Sequence, residues 1–151
     1  MSSAEPDETG EAIDARARVV AIARCELGEQ DPDKYWRVVC PALCGHPHDV
    51  SWCGGFVLWC LREAGVTALE WVIGKGFVFR LETVNEPAPG DVAVFGAPLW
   101  HHAVVKRTEG GMVYTIDGNT MPRPLEGVTE RVRAITPKTT FYSIAPLLRD
   151  P

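Results

Sequence analysis

The spacing of apolar residues divides the chain into a helical first half and a stranded second half. Ile13, Val20 and Leu27 recur every seven positions among good helix formers, and Gly28 is a typical residue just beyond a helix C-terminus. Ser51 is a candidate N-cap for a later helix. Helices are therefore predicted over three segments: 11–27, 33–39 and 52–64.

The period changes after the Pro- and Gly-rich segment 87–90. Alternating and β-branched residues there predict five strands, at 91–95, 101–107, 112–117, 128–134 and 141–145. Glu109-Gly110-Gly111 is predicted to form a hairpin turn, whereas residues 66–84 are ambiguous. Helices followed by a run of strands indicate an α+β fold, with N-terminal helices packed on a C-terminal antiparallel β-sheet.

Composition narrows the class of protein. The chain has 151 residues, of which 46% are hydrophobic and 23% charged, as in an ordinary globular domain. We expect a disordered acidic tail over 1–10 and one domain over 11–151. The net charge of −5 and the absence of a basic stretch argue against nucleic acid as a partner. The apolar runs are too short for a membrane span of about 20 residues.

Two features bear on the cellular compartment. Residues 1–10 contain three acidic residues and no base, unlike the start of a secretory signal, so synthesis in the cytoplasm is expected. The five cysteines are an odd number, and a cytoplasmic protein seldom relies on disulfides. Free thiols, reactive or structural, are therefore expected.

Cys53 lies in the first turn of the third predicted helix, where unpaired N–H groups and the helix dipole favour negative charge. A thiol there ionises easily, and the thiolate attacks carbonyl carbons. Gly54 and Gly55 follow, each costing about 1 kcal/mol relative to alanine. They indicate either close approach of a substrate backbone or tight packing. Cys60 is predicted to be a buried structural residue, about 10.5 Å further along the helix and beyond disulfide range.

A nucleophilic cysteine needs a base and a group that orients the base. His101 and His102 begin one predicted strand, while Asp117 and Asn119 alternate with Thr115 on the next. Together these residue types could complete a Cys-His-Asp/Asn site. The alternative is a pair of solvent-exposed histidines without function.

The choice of histidine depends on the hairpin register. A three-residue turn would pair Thr108 with Met112 and Ala103 with Asp117, which places the first histidine on the face of the polar side chains. A two-residue turn would shift the register by one and favour His102. A structure in which the ring of His102 faces the Cys53 thiol would reverse a choice of His101 as the base.

The loop between the second and third predicted helices offers a different chemistry. Cys40, Cys44, His46 and His48, with Cys53 or Cys60, could supply zinc ligands. The spacing lacks a paired C-x₂-C pattern, so we prefer the rim of a substrate groove as the interpretation and predict neither a metal nor an organic cofactor.

Five segments in order resemble CHAP-type cysteine amidases and peptidases, which are related to NlpC-type enzymes and share a papain-like fold. The resemblance runs from about residue 15 to residue 146, nearly the whole chain. One departure is His102, where the family has an apolar residue. The segments are 51–60 (SWCGGFVLWC), 89–95 (PGDVAVF), 101–105 (HHAVV), 116–120 (IDGNT) and 141–146 (FYSIAP).

The resemblance implies a peptidoglycan hydrolase, an amidase or an endopeptidase. By position, Cys53 would be the nucleophile, His101 the base, Asp117 the orienting acid and Asn119 an auxiliary polar group. The expected partner is peptidoglycan, with cleavage at the bacterial cell wall or in the periplasm.

The same family suggests a phage lysin, a virion-associated protein or a delivered antibacterial effector, in which case phage-tail or secretion-machine proteins would be further partners. A catalytically silent structural protein of a phage tail is the alternative. Trp52 and Trp100 each precede a candidate catalytic residue, and are candidate walls of the substrate groove or else core residues.

Overall fold

The computed structural model describes residues 10–45, 51–97, 99–118 and 127–148. The helices within these ranges are α1 (Gly10–Cys25), α2 (Asp33–Val39), α3 (Cys53–Glu63) and α4 (Ala145–Leu148). The strands are β1 (Glu82–Val84), β2 (Val92–Phe95), β3 (His101–Glu109), β4 (Met112–Asp117), β5 (Thr129–Ala134) and β6 (Thr139–Ser143). Single 3-10 turns lie at Pro41–Leu43 and Val78–Arg80.

The predicted fold class is confirmed: helices pack on one six-stranded antiparallel sheet with the order β1-β6-β2-β3-β4-β5. The elements α2, α3 and β2 to β6 lie close to the predicted segments. The sequence pattern did not reveal β1, within the ambiguous segment 66–84, or the short α4. The tail predicted over 1–10 falls mostly outside the described residues, and Gly10 already belongs to α1.

The buried face of α1 does not coincide with the seven-residue repeat from which the helix was predicted. Ala15, Val19 and Ala23, spaced four residues apart, are buried, whereas Val20 is only half-buried and Leu27 is exposed beyond the helix end. The seven-residue repeat therefore predicted the helix correctly but does not mark its buried face. Two of the three buried positions are alanines, which allow α1 to pack closely against its neighbours. Because alanine is only weakly hydrophobic, the hydrophobic pattern of the sequence does not reveal this face.

The sheet buries side chains on both faces. Val92, Val104 and Ile116 belong to the main core beneath the helices, while Ala93 and the neighbouring odd-numbered positions form a second, smaller cluster. Consecutive residues of a strand point to opposite faces, so the two clusters lie on opposite sides of the sheet. The second cluster comprises Ala93, Phe95, Ala103, Val105, Val113 and Phe141.

The hairpin register combines two features that offset each other. Glu109 pairs with Met112 across a two-residue turn, so the expected three-residue turn is wrong. Between Arg107 and Val105 the register shifts by one residue, because Lys106 is an extra residue opposite β4. Beyond this bulge Val104 pairs with Ile116, the same register that a three-residue turn would have set. The bulge therefore places the side chain of His101 on the same face of the sheet as the side chain of Asp117.

Glycines allow α3 to approach its neighbours closely. A Cβ atom on Gly55 would lie 2.8 Å from the ring of Trp36, and one on Gly54 would lie 3.0 Å from the ring of Trp71. Tight packing, the second of the two interpretations, therefore accounts for this glycine pair. At the end of β4, a Cβ atom on Gly118 would lie 2.8 Å from Trp52 and 2.9 Å from Phe56.

A buried ion pair joins α1 to the segment that leads into β2. Arg16 Nη1 donates to Asp91 Oδ1 over 2.8 Å and to the carbonyl of Pro89 over 3.0 Å. The same carboxylate accepts the backbone N–H groups of Ala88 and Ile144. One acidic side chain therefore connects α1, the turn before β2 and the end of β6. No helix within the described ranges is long and apolar enough to cross a membrane.

We predict that Gly118→Ala destabilises the fold without touching the chemistry directly. The added methyl group would collide with the ring of Trp52 and with Phe56 Cβ, and overpacking of this kind costs about 1–3 kcal/mol. Thermal denaturation followed by circular dichroism measures the loss. Gly10→Ala is the matched control, since a Cβ atom there meets nothing within 4 Å. Equal melting temperatures for both variants would contradict the packing argument.

Candidate active site

Cys53 is the first residue of α3 and is 3% exposed. Its sulfur lies 3.5 Å from Ser51 Oγ and 3.8 Å from His102 Nδ1, and it accepts the backbone N–H of His102 over 3.4 Å. Ser51 was expected to be the N-cap residue, but Trp52 occupies the N-cap position, and its own side chain makes no capping hydrogen bond. The first turn of an α-helix has backbone N–H groups with no partner inside the helix, and Cys53 lies in that turn.

His101 and Asp117 form a buried pair beside this thiol. His101 Nε2 lies 2.7 Å from Asp117 Oδ2, and both side chains are almost inaccessible to solvent. Thr115 Oγ1 donates to Asp117 Oδ1 over 2.5 Å, and Arg133 Nη1 donates to Asp117 Oδ2 over 2.6 Å. Thr115 and Arg133 therefore hold the Asp117 carboxylate in place, and the carboxylate in turn holds the imidazole of His101.

The electrostatics favour a thiolate beside an imidazolium. Burial by itself would raise the pKa of Cys53, but hydrogen bonding to His101 and His102 brings that pKa well below its ordinary value. Burial would lower the pKa of His101, but hydrogen bonds to Asp117 and Cys53 raise it to about 9. At neutral pH the pair is therefore ionised before a substrate arrives.

The pKa of Asp117 lies below its ordinary value despite burial. The hydrogen bond from His101 and the charges of His101 and Arg133 outweigh the cost of desolvation. Asp117 is thus a permanent anion near neutral pH. An anion in this place favours the charged form of the imidazole and holds its orientation.

The sequence analysis treated the two histidines as exclusive alternatives, but both lower the pKa of the Cys53 thiol, and His102 Nδ1 lies 3.8 Å from its sulfur. The ring of His102 faces Cys53, and by that criterion alone His102 would be the base. We assign His101 as the base because its ring pairs with the Asp117 carboxylate and because His101 also lowers the pKa of Cys53. His101 and His102 leave β3 on opposite faces, and the Cys53 sulfur lies beside the start of that strand.

Arg133 is a residue of this site that the sequence analysis missed. It extends from β5 to Asp117, and its guanidinium also lies 4.7 Å from the ring centre of Phe95. Burial alternates along β5, with Thr129, Arg131 and Arg133 more buried than the residues between them. The sequence alone does not mark Arg133, because its position near Asp117 depends on β5 pairing with β4.

The two candidate groove tryptophans have different surroundings. Trp52 is 1% exposed, and its ring stacks on Tyr35 with centroids 5.7 Å apart, so it is a core residue and the prediction of a groove wall is wrong for it. Trp100 is 68% exposed and has a positive φ of 47°. Only Trp100 is therefore available to a substrate. Asn119 lies outside the described residues.

The remaining cysteines do not extend the site. Cys60 is fully buried, and burial raises its pKa well above the ordinary value, so this thiol is protonated and structural. Cys40 and Cys44 are half-buried free thiols, while His46 and His48 lie outside the described residues. Within the described ranges no group of three or more His, Cys, Asp or Glu side chains could hold a metal ion. The zinc hypothesis itself thus stays a prediction from sequence.

A helix-borne thiol packed against an antiparallel sheet is the architecture of papain-like cysteine hydrolases. The family model of the CHAP domain matches residues 45–119, about half of the chain, and this range contains Cys53, His101 and Asp117. The chain belongs to the CHAP family, which confirms the resemblance of its sequence motifs. Membership indicates, in general terms, a peptidoglycan hydrolase of the cysteine amidase or peptidase type. Neither the curated proteins nor the solved structures gave a match.

Replacing Asp117 tests the electrostatic arrangement. In Asp117→Asn the carboxylate charge is lost, so the pKa of His101 should fall from about 9 toward its ordinary value and the imidazolium should deprotonate at lower pH. The alkaline limb of activity then moves to lower pH, and the maximal rate drops. NMR titration of the His101 ring and a pH–rate profile measure the two effects.

Thr115→Val is the control for this experiment. It removes one hydrogen bond from Asp117 but leaves its charge, so the displacement of the alkaline limb should be smaller than in Asp117→Asn. If Asp117→Asn leaves the limb in place and Asn119→Ala moves it, the orienting role belongs to Asn119.

Proposed function

We propose that the chain hydrolyses an amide bond of peptidoglycan with Cys53 as nucleophile, His101 as acid and base, and Asp117 as the residue that orients His101. The observation that carries the proposal is the buried hydrogen bond between His101 and Asp117, next to a thiol at the first residue of α3. His101 hydrogen-bonds Asp117 through Nε2, and its interaction with the Cys53 sulfur lowers the pKa of that thiol. A buried structural cysteine would have a raised pKa, as Cys60 has.

The first half-reaction forms a thioester. The Cys53 thiolate attacks the carbonyl carbon, and the carbonyl oxygen becomes an oxyanion that the backbone N–H of Cys53 stabilises at the start of α3. The imidazolium of His101 then gives its proton to the amide nitrogen. The carbon–nitrogen bond breaks, and the amine leaves.

The second half-reaction regenerates the enzyme. The neutral imidazole of His101 removes a proton from water, and the resulting hydroxide attacks the thioester carbonyl. The carbon–sulfur bond breaks, the Cys53 thiolate is released beside the imidazolium, and the acid product departs. Asp117 remains ionised throughout and supports the imidazolium in both steps.

The biological setting proposed from the sequence is the bacterial cell wall, reached by a phage lysin, a virion-associated protein or a delivered antibacterial effector. The substrate bond is either the link between muramic acid and L-alanine or a bond within the peptide stem or cross-bridge. Mass spectrometry of digested peptidoglycan separates these bonds, because each cleavage leaves a different new amine and carboxyl terminus.

We predict that Cys53→Ala abolishes wall hydrolysis and leaves the fold intact. The position accepts alanine because it lies in a helix, and the other buried thiol of that helix, Cys60, is protonated. Turbidity clearance of purified walls and circular dichroism measure the two properties. Cys60→Ala is the matched control, with a stability loss on the order of 1 kcal/mol and retained hydrolysis. Hydrolysis by Cys53→Ala above background would refute the nucleophile assignment.

Trp100 is proposed as a substrate-contacting side chain. It is a large aromatic residue, 68% exposed, in the left-handed backbone region immediately before His101. A non-glycine residue in that region carries a conformational cost of about 1–2 kcal/mol. Such strain at an exposed position indicates that the direction of the ring matters for function rather than for the core.

Substitution at Trp100 should separate activity from stability. Trp100→Gly removes the ring and relieves the backbone, so KM should rise while the melting temperature does not fall. Trp100→Phe keeps an aromatic face and should retain most of the activity. Wall hydrolysis at several substrate concentrations and thermal denaturation provide the readouts. A normal KM in Trp100→Gly would exclude the ring from substrate binding.

A further inference from the structure

His102 contacts the Cys53 sulfur twice, yet the mechanism proposed above assigns it no role. Its backbone N–H donates to Sγ over 3.4 Å, and its Nδ1 atom lies 3.8 Å from the same atom. The backbone contact is available to any residue at this position. The ring contact belongs to histidine, and the CHAP resemblance does not account for it.

The position of the His102 ring is well defined by its neighbours. A Cβ atom on Gly54 would lie 3.5 Å from Nδ1, so the ring packs directly over the first turn of α3. The ring of Phe77 covers it on another side, with centroids 6.0 Å apart. The ring is therefore held in place by the helix on one side and an aromatic side chain on the other. It does not reach the sulfur as a mobile surface group.

Among the described residues that face the His102 ring, Cys53 is the titratable one. Its partner on β2 is Val94, and the segment before β1 contributes Phe77 and the ring of Trp71 near Gly54. Lys75 of that segment lies over Phe79 instead. His101, the neighbour on the same strand, points to the opposite face and pairs with Asp117.

A buried thiolate needs hydrogen-bond donors, and His101 alone serves it incompletely. Asp117 engages the Nε2 atom of His101, and in the proposed mechanism the His101 ring gives up a proton when the amine leaves. A second donor that keeps its proton would stabilise the sulfur both before attack and when the thioester breaks. An Nδ1–H group of His102 fits that requirement in the cation and in one neutral tautomer.

We propose that His102 is a positioning residue whose Nδ1–H group holds the Cys53 sulfur and favours its thiolate form. The inference rests on the proposed function, in which Cys53 is the nucleophile. It assigns the two consecutive histidines separate tasks: His101 moves protons with the support of Asp117, and His102 keeps the sulfur ionised and in place. The backbone N–H of His102, which donates to the same sulfur, is a second hydrogen bond to the thiolate.

The test is the pH dependence of Cys53 alkylation by iodoacetamide, followed peptide by peptide with mass spectrometry. In His102→Leu the ring donor is lost while the backbone N–H remains. We expect the acid limb to move to higher pH, with alkylation slower by roughly tenfold below its midpoint, which corresponds to about one pKa unit. The exposed Cys25 in the same samples is the internal reference for reagent and pH. A wild-type profile in His102→Leu overturns the proposal.

His102→Asn is the matched variant, because its amide can donate from a position near that of Nδ1 but cannot titrate. We expect it to restore much of the reactivity that leucine loses. If asparagine and leucine lower the rate equally while circular dichroism shows an intact fold, a hydrogen bond is not the cause. His101→Ala provides a second comparison, since adding His102→Leu to it should slow alkylation further, and no further loss would count against an independent ring donor.

The experiments distinguish a failure of this inference from a failure of the proposed function. Alkylation needs no peptidoglycan, so it reports on His102 whatever the chain cleaves. If Cys53→Ala still hydrolyses walls, the proposed function fails while the alkylation comparison stands. If Cys53→Ala is inactive and His102→Leu reacts as the wild type does, only the role of His102 is lost.

Discussion

The site depends on the close contact between the first turn of α3 and the ends of β3 and β4. Gly118 makes this contact feasible, because any side chain there would collide with Trp52 or Phe56. The same closeness brings the backbone of His102 to within 3.4 Å of the Cys53 sulfur. Core packing and the assembly of the site are therefore one event. A fold that loosened at this point would lose apolar burial and separate the thiol from the imidazole together.

Charge is distributed along the site in alternating signs. Arg133 is positive, Asp117 negative, His101 positive and Cys53 negative, and each is within interaction distance of the next. A single buried charge is costly, but in this row each group is the partner of its neighbour. The arrangement also explains why the two buried cysteines of α3 differ so strongly. Cys60 has no cation directly on its thiol and stays protonated, although the two lie on the same helix.

Most of the fold could be predicted because its helices and strands have distinct hydrophobic periods. The identity of the nucleophile and its partners also followed from local patterns, since a cysteine at a helix start and polar residues alternating on a strand are visible in sequence. Three aspects could not be seen. The contribution of Arg133 depends on β5 joining the sheet beside β4. The burial of Trp52 depends on α2 stacking against it. The bulge at Lys106 depends on which faces of β3 and β4 are buried, and the residues of the turn do not contain this information.

The bulge at Lys106 also divides the β3–β4 hairpin into two parts with different tolerances. On the site side, pairing is dictated by side chains buried on both faces of the sheet. On the turn side, Arg107, Thr108 and Glu109 are exposed, and the two-residue turn Gly110-Gly111 has open space around it. A change in loop length can therefore be absorbed by the outer part before it reaches the histidines. The tip of this hairpin is a natural place to attach a peptide tag or a wall-targeting module while preserving the alignment of the inner part.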